Sequence, residues 1–141
     1  MTKIKFQNVL INNQCTSLVF EFGAGKNLAQ NIYLSNVLQR QLVVDLNPMI
    51  DIDLVDQARS LLASKLNLRS KSVIKSLSDL NNYAIDYRAP YDASKTDLRS
   101  KSIDACISTN TLEHIPKESI KDIFLELFRI LKDTGVVSTI I

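Results

Sequence analysis

One stretch near the amino terminus constrains the fold of this chain more than any other: residues 18–27, LVFEFGAGKN. It begins as a short apolar run typical of a buried strand and becomes acidic at Glu21. Gly23 and Gly25 follow one residue apart, and a helical pattern begins at Asn27. A strand, a tight glycine turn and a helix are the unit with which a parallel α/β sheet presents a ligand site at its carboxyl edge.

Short apolar runs alternate with helical patterns along the rest of the chain. The predicted strands are 18–22, 41–46, 83–87, 103–108 and 136–141, and the predicted helices are 27–38, 51–66, 72–80 and 117–131. This alternation predicts right-handed βαβ units and a mainly parallel sheet with helices on both faces. We therefore expect one α/β domain over residues 17–141, preceded by an N-terminal segment, 1–16, that is ambiguous. Residues 89–102 form the longest irregular connection.

The apolar spacing within each helix predicts which side chains face the core, and Gly135 is expected to stop the last helix. The expected inward positions are Leu28, Ile32 and Val37 or Leu38; Leu54, Ala58, Leu61, Leu62 and Leu66; Val73, Ile74, Leu77 and Leu80; and Ile120, Ile123, Phe124, Leu127, Phe128 and Leu131.

Composition and charge exclude several classes of function. A net charge of +2 over 141 residues is too small to indicate nucleic acid or an acidic membrane surface as a partner. No CxxC motif or His/Cys cluster suggests a metal site, and Cys106 lies in an apolar run where a thiol is usually a small buried hydrophobe. The chain has no signal-peptide pattern and no apolar stretch of about 20 residues, so we expect a cytoplasmic protein.

Three ligands compete for the glycine turn. A P-loop requires glycine where Phe20 stands and Ser or Thr where Asn27 stands, so that interpretation fails. A dinucleotide fingerprint requires a third glycine, and Leu28 occupies its position. Glu21 also argues against a pyrophosphate, because like charges repel, whereas a carboxylate suits a ligand with an ammonium group, such as S-adenosylmethionine.

Asp45 adds a second constraint on the ligand. It ends the second predicted strand, 20 residues after Gly25, where an acid can accept hydrogen bonds from both hydroxyls of a ribose. NAD and S-adenosylmethionine both carry such a ribose. Asp45 therefore favours an adenosine ligand, and Glu21 favours the cationic one.

With these residues the chain resembles the class I S-adenosylmethionine-dependent methyltransferases, especially the small-molecule, type 11-like group. Five segments are similar to motifs of that family and follow its order: 21–25, 44–48, Asp92 and Ala93 with Asp104 twelve residues after Asp92, 108–115, and 127–137. The resemblance covers residues 17–141. Two departures are that Asn27 replaces the third glycine of the first motif, and that the family's usual last two strands are absent, which suggests a C-terminally truncated domain.

The resemblance implies a Rossmann-like, doubly wound sheet of about five strands in the order 3-2-1-4-5, and S-adenosylmethionine as cofactor. The implied cofactor-binding residues are Glu21, Gly23, Gly25, Asp45, Leu46, Asp92, Ala93, Thr109 and Asn110. We identify no catalytic residue, and His114 is expected to have a packing or supporting role.

The leading functional hypothesis is methyl transfer from S-adenosylmethionine to a small-molecule acceptor. The alternative is a non-catalytic or truncated methyltransferase-like module that binds cofactor or a protein partner. An apolar last strand at a sheet edge would also allow a homo-oligomer.

Overall fold

The computed structural model describes residues 17–66 and 72–141. The predicted N-terminal segment, 1–16, lies outside the described residues, as do residues 67–71. The strands are β1 (Leu18–Phe22), β2 (Arg40–Val44), β3 (Ile85–Arg88), β4 (Ile103–Thr109) and β5 (Leu131–Ile140); the α-helices are α1 (Ala29–Leu34), α2 (Ile52–Lys65) and α3 (Lys117–Ile130); 3-10 helices span Leu77–Tyr83 and Leu112–His114.

The five strands form one parallel sheet in the order β3-β2-β1-β4-β5, which confirms the predicted topology. β1 is central because its apolar run can be buried on both faces. Its last residue, Phe22, pairs with Val44, the last residue of β2, and Glu21 pairs with Ile107 of β4. The carboxyl ends of the three central strands therefore meet at one edge, where the glycine turn begins.

Helices cover both faces of the sheet, as the sequence predicts. Ile123, Leu127 and Ile130 of α3 pack on one face with Phe20, Phe22 and Cys106. The opposite face is covered by α1 and α2, through residues such as Ile32, Leu34 and Val55. Cys106 is fully buried, as predicted. Among the described residues, no helix combines the length and apolarity needed to cross a bilayer.

Helix α1 is shorter than predicted at both ends, because residues 27 and 28 are not helical and the helix ends at Leu34 rather than at Leu38. Leu28 has a left-handed conformation, with φ of 48°, and the helix begins only at Ala29. The side-chain oxygen of Asn27 accepts a hydrogen bond from the Ala29 N–H at 3.1 Å. Of the two alternatives for the last inward position, Leu38 is buried and Val37 is 41% exposed.

The inward face predicted for the second helix is wrong in part: Leu62 packs against the core as predicted, but most of the predicted leucines do not. Asp51 caps α2 by accepting hydrogen bonds from the amides of Asp53 and Leu54. The fully buried side chain is Val55, while Leu54, Leu61 and Leu66 are exposed. The stripe that contacts the sheet is Ile52, Val55 and Leu62, offset from the predicted one by a fraction of a turn.

The predicted helix over 72–80 is also wrong in its type and bounds. A 3-10 helix begins after Ser76, whose side chain forms a reciprocal cap with Asp79, and extends to Tyr83. Ile74 and Leu80 are buried as predicted, but Val73 and Leu77 are exposed.

Only part of the stripe predicted on the last helix reaches the core. Phe124 is 39% exposed and Phe128 is 86% exposed, because the sheet contacts only the narrow row of Ile123, Leu127 and Ile130. The chain becomes extended at Leu131, so Gly135 lies inside β5 and does not stop the helix.

Candidate functional site

The glycine turn leaves β1 with two residues in the left-handed region that favours glycine. Gly23 has φ of 71° and Gly25 has φ of 76°. The Gly23 N–H donates to the carbonyl of Val44 at 2.9 Å, which holds the turn against β2. A side chain added at Gly25 would meet no atom within 4 Å. The backbone at Gly25 is therefore open to the close approach of a ligand.

Thr111 packs directly on the other glycine. Its hydroxyl lies 2.9 Å from the carbonyl oxygen of Gly23 and 3.0 Å from that of Thr109. A Cβ at Gly23 would lie 2.2 Å from the Thr111 methyl carbon, so no side chain fits there. No local sequence pattern predicts this contact, because 88 residues separate Gly23 and Thr111.

Asp45 follows β2 and connects the turn to β3. Its Oδ1 is 3.5 Å from the Gly25 nitrogen, and its Oδ2 accepts a hydrogen bond from the Tyr87 hydroxyl at 2.8 Å. The side chain is buried, and burial raises the pKa of its carboxyl above the ordinary value despite these bonds. Asp45 is thus held beside the glycine turn with its orientation fixed by Tyr87, a residue for which the sequence predicts no role.

Glu21 lies beneath the turn, on the face of the sheet covered by α1. Its Oε2 accepts a hydrogen bond from the side-chain amide of Asn31 at 2.6 Å, and the residue is 3% exposed. Burial raises the pKa of Glu21 from 4.5 to about 7; the Asn31 bond opposes that shift, and the charge of Asp45 adds to it. A carboxyl that loses water on folding therefore titrates near neutral pH.

We expect Glu21→Gln to remove a pH dependence of stability. Because folding raises the pKa of Glu21, its contribution is fully present below about pH 4.5 and is lost as the pH rises through about 7. A shift of this size corresponds to roughly 3 kcal/mol. In urea unfolding across this range, the wild type should lose stability relative to the variant, which keeps the bond to Asn31. Parallel stability profiles for the two proteins would contradict the assignment.

A cavity of about 280 Å³ opens beside the turn on the α3 side of the sheet. Its lining includes four predicted site residues, Gly23, Leu46, Asp92 and Ala93. The other lining residues are Phe22, Val44, Tyr91, Ser94, Thr111, His114, Ile115, Pro116, Ser119, Asp122 and Ile123. Among the residues that the structure describes, the acidic groups of this lining are Asp92 and Asp122, and none of the lining residues is lysine or arginine. The electrostatic character of the cavity therefore suits a neutral or cationic ligand.

Asp92 and His114 lie in different surroundings on the wall of this cavity. Asp92 Oδ1 accepts hydrogen bonds from the Ser94 amide at 2.8 Å and from its hydroxyl at 2.7 Å, which lower the pKa of the Asp92 carboxyl. His114, for which we expected a packing or supporting role, has a side chain that is 79% exposed and therefore does not pack in the core. Its imidazole is 3.9 Å from a carboxylate oxygen of Glu113.

Thr109 and Asn110 lie at the end of β4 but do not line the cavity. The Thr109 hydroxyl is buried and has no hydrogen-bond partner among the described residues. Asn110 is exposed, in a left-handed conformation, and its amide donates to the Ile140 carbonyl at 2.8 Å. Glu21, Gly25 and Asp45 also lie outside the lining, so the predicted residues divide among the cavity, the region of the glycine turn and the end of β4.

A sequence model of the family described as "Methyltransferase domain" matches residues 20–139. This range includes the glycine turn, the cavity and nearly the whole of the sheet. No curated protein matches the chain.

Solved structures share the fold at low sequence identity. A putative S-adenosyl-L-methionine-dependent methyltransferase from Methanococcus maripaludis has a TM-score of 0.58 and 16% identity; the match covers 95% of this chain and 53% of that one. Geranyl diphosphate C-methyltransferase from Streptomyces coelicolor was solved with Mg²⁺, geranyl diphosphate and S-adenosyl-L-homocysteine. It has a TM-score of 0.58 and 15% identity, and the match covers 98% of this chain and 44% of that one. The [4+2]-cyclase SpnF has a TM-score of 0.59 and 11% identity, and the match covers 96% of this chain and 43% of that one. The chain thus spans about half of the length of these proteins.

Proposed function

Because this chain belongs to the methyltransferase domain family, we propose that it binds S-adenosylmethionine at the glycine turn and the adjoining cavity. The observation that carries the proposal is the juxtaposition of Gly25, whose surroundings are open, with the Asp45 carboxylate 3.5 Å from its amide. The Asp45 carboxylate can accept hydrogen bonds from the hydroxyls of a ribose, and the open backbone at Gly25 leaves room for the rest of the cofactor to lie against the turn.

The residues present fit this cofactor. Gly25 leaves the space that a Cβ would fill, and Gly23 cannot carry a side chain beneath Thr111. The cavity has apolar walls at Leu46 and Ala93 that suit a purine ring, with Asp92 beside them as an acceptor. Asp92 and Asp122 in the lining make the cavity favourable for the positive charge of a sulfonium.

Each part of the site has a distinct role in the proposal. Asp45 accepts hydrogen bonds from the ribose hydroxyls, and Tyr87 fixes the direction of its carboxylate. Leu46 and Ala93 hold the adenine, while Asp92 orients its amino group. Thr109 and Asn110 border the reacting end at the carboxyl edge of β4, where the buried Thr109 hydroxyl has an unused hydrogen-bonding capacity among the described residues.

The cofactor supplies a methyl group that is already activated for displacement by a nucleophile. The contribution required of this chain is therefore to position that group and to exclude water from it. The acceptor in this proposal is a small molecule, because the motif segments resemble most closely the small-molecule group of the family.

Calorimetric titration with S-adenosylmethionine, S-adenosylhomocysteine and NAD tests the cofactor. We expect binding of the two sulfur-containing ligands and little or none of NAD. Tight NAD binding without a response to the other two would overturn the proposal. A methyl-transfer assay with labelled cofactor and a panel of amine, hydroxyl and carbon acceptors then tests the reaction. Binding without transfer to any acceptor would favour a non-catalytic module.

A further inference from the structure

Three buried polar side chains form a closed network under the glycine turn. Glu21 of β1, Asn31 of α1 and Gln41 of β2 are 3%, 2% and 2% exposed. The Asn31 amide nitrogen is 2.6 Å from Glu21 Oε2 and 3.3 Å from Gln41 Oε1. The Gln41 amide nitrogen donates to the main-chain carbonyl of Asn31 at 3.0 Å. Helix α1 and strand β2 are thereby tied to the carboxyl of Glu21.

The network also determines which way Glu21 points. Side chains alternate along a strand, and its neighbours Phe20 and Phe22 pack on the face covered by α3. Glu21 therefore points to the α1 face, away from the cavity that Phe22 lines. It stands two residues before Gly23, close to the turn but below it. A direct contact with a ligand in the cavity would require the side chain to leave Asn31.

We propose that Asn31 and Gln41 are positioning residues that hold the Glu21 carboxylate under the glycine turn, from where its negative charge attracts the cationic end of the cofactor without touching it. This inference rests on the proposed function. Coulombic attraction acts over several ångströms in a protein interior, where water does not screen it fully. Gln41 acts indirectly: it accepts a hydrogen bond from the Asn31 amide and so orients the group that holds the Glu21 carboxylate.

The alternative is that the network only fastens α1 to the sheet. The two alternatives differ in their response to pH. Within the described ranges 17–66 and 72–141, the other titratable groups that interact with Glu21 are Asp45, from the end of β2, and Cys106, from β4. The groups that hold it from α1 and β2 are the neutral amides of Asn31 and Gln41. A cation bound near Glu21 favours the ionised carboxylate, so binding should release a proton at neutral pH. A purely structural network predicts no such coupling.

The experiment measures S-adenosylhomocysteine affinity, by calorimetry, from about pH 5.5 to about pH 8.5. In the wild type we expect affinity to rise about tenfold between pH 6 and pH 8, with its midpoint near neutrality. Glu21→Gln, which is isosteric and keeps the Asn31 bond, should flatten this profile. Asn31→Leu should move the midpoint upward, because the bond that it removes favours the charged carboxylate. Gln41→Leu should move it in the same direction by less.

Asn36→Leu is the matched control. Asn36 is an exposed amide near the end of α1 that donates to the carbonyl of Tyr33, so its replacement should leave the midpoint unchanged. The inference is overturned if the profile persists in Glu21→Gln, or if Asn31→Leu and Gln41→Leu bind with the wild-type midpoint. If Asn31→Leu does not fold, the pH profile of Glu21→Gln and the midpoint of Gln41→Leu still test the inference. Absence of binding by the wild type at every pH would instead overturn the proposed function.

Discussion

Gly23→Ala is expected to destabilise the protein far more than Gly25→Ala, although both glycines have positive φ. Each substitution places alanine in the left-handed region, at a cost of roughly 1–2 kcal/mol. At Gly23 the new Cβ also meets the Thr111 side chain at 2.2 Å, which adds overpacking of about 1–3 kcal/mol. At Gly25 it meets nothing within 4 Å. Urea unfolding of the two variants measures the difference directly.

A double-variant cycle separates the collision from the backbone strain. Thr111→Ala removes the methyl carbon and the hydroxyl that a Cβ at Gly23 would approach most closely. The double variant Gly23→Ala/Thr111→Ala should therefore lose less free energy of unfolding than the sum of the losses of the two single variants. Equal losses for the two glycine variants, or additive losses in the cycle, would show that Thr111 does not press on the turn.

Asp45→Ala is expected to weaken S-adenosylhomocysteine binding by about a hundredfold or more. In the proposed site the carboxylate accepts two hydrogen bonds from the ribose, and bonds to a charged group contribute roughly 1.5–3 kcal/mol each. Calorimetric titration measures the loss. Tyr87→Phe removes only the hydroxyl that orients Asp45, so we expect a loss below about tenfold.

Asp51→Ala provides the matched control for the loss of a carboxylate. Asp51 caps α2, with its side chain bonded to the amides of Asp53 and Leu54. Its replacement should lower stability by about 1 kcal/mol and leave the affinity near the wild-type value. If Asp45→Ala binds as tightly as the wild type, the ribose does not lie at the end of β2.

The pairing order of the strands could be predicted because it follows from local patterns and a resemblance. Leu18–Phe22 is a short apolar run before a glycine turn, and such a run is stable in the middle of a parallel sheet. The faces of the helices were harder to predict. Phe124 and Phe128 continue an apolar helical pattern, yet the sheet reaches only the neighbouring row that contains Leu127. The hydrophobic pattern of a helix alone does not predict how many of its apolar side chains the sheet can bury.

In the candidate site, too, some features could be predicted from the sequence and others are visible only in the folded chain. Gly23, Leu46, Asp92 and Ala93 are brought to one cavity by the carboxyl ends of different strands, as expected from their positions. Tyr87 lies outside the motif-like segments, and Thr111 lies inside segment 108–115 without an expected role. Only the folded chain shows that Thr111 contacts Gly23 and that Tyr87 contacts Asp45.

By itself, the sequence determined the parallel α/β sheet and the place of the glycine turn, because these depend on periodicity and on residues that are neighbours in the chain. The strand order was implied by the resemblance to a known family. Only the tertiary structure decided the direction of the Glu21 side chain. That direction depends on Asn31 and Gln41, whose amides approach it from another helix and another strand. A buried carboxyl takes its orientation and its pKa from groups brought to it by folding, and these groups leave no local pattern in the sequence.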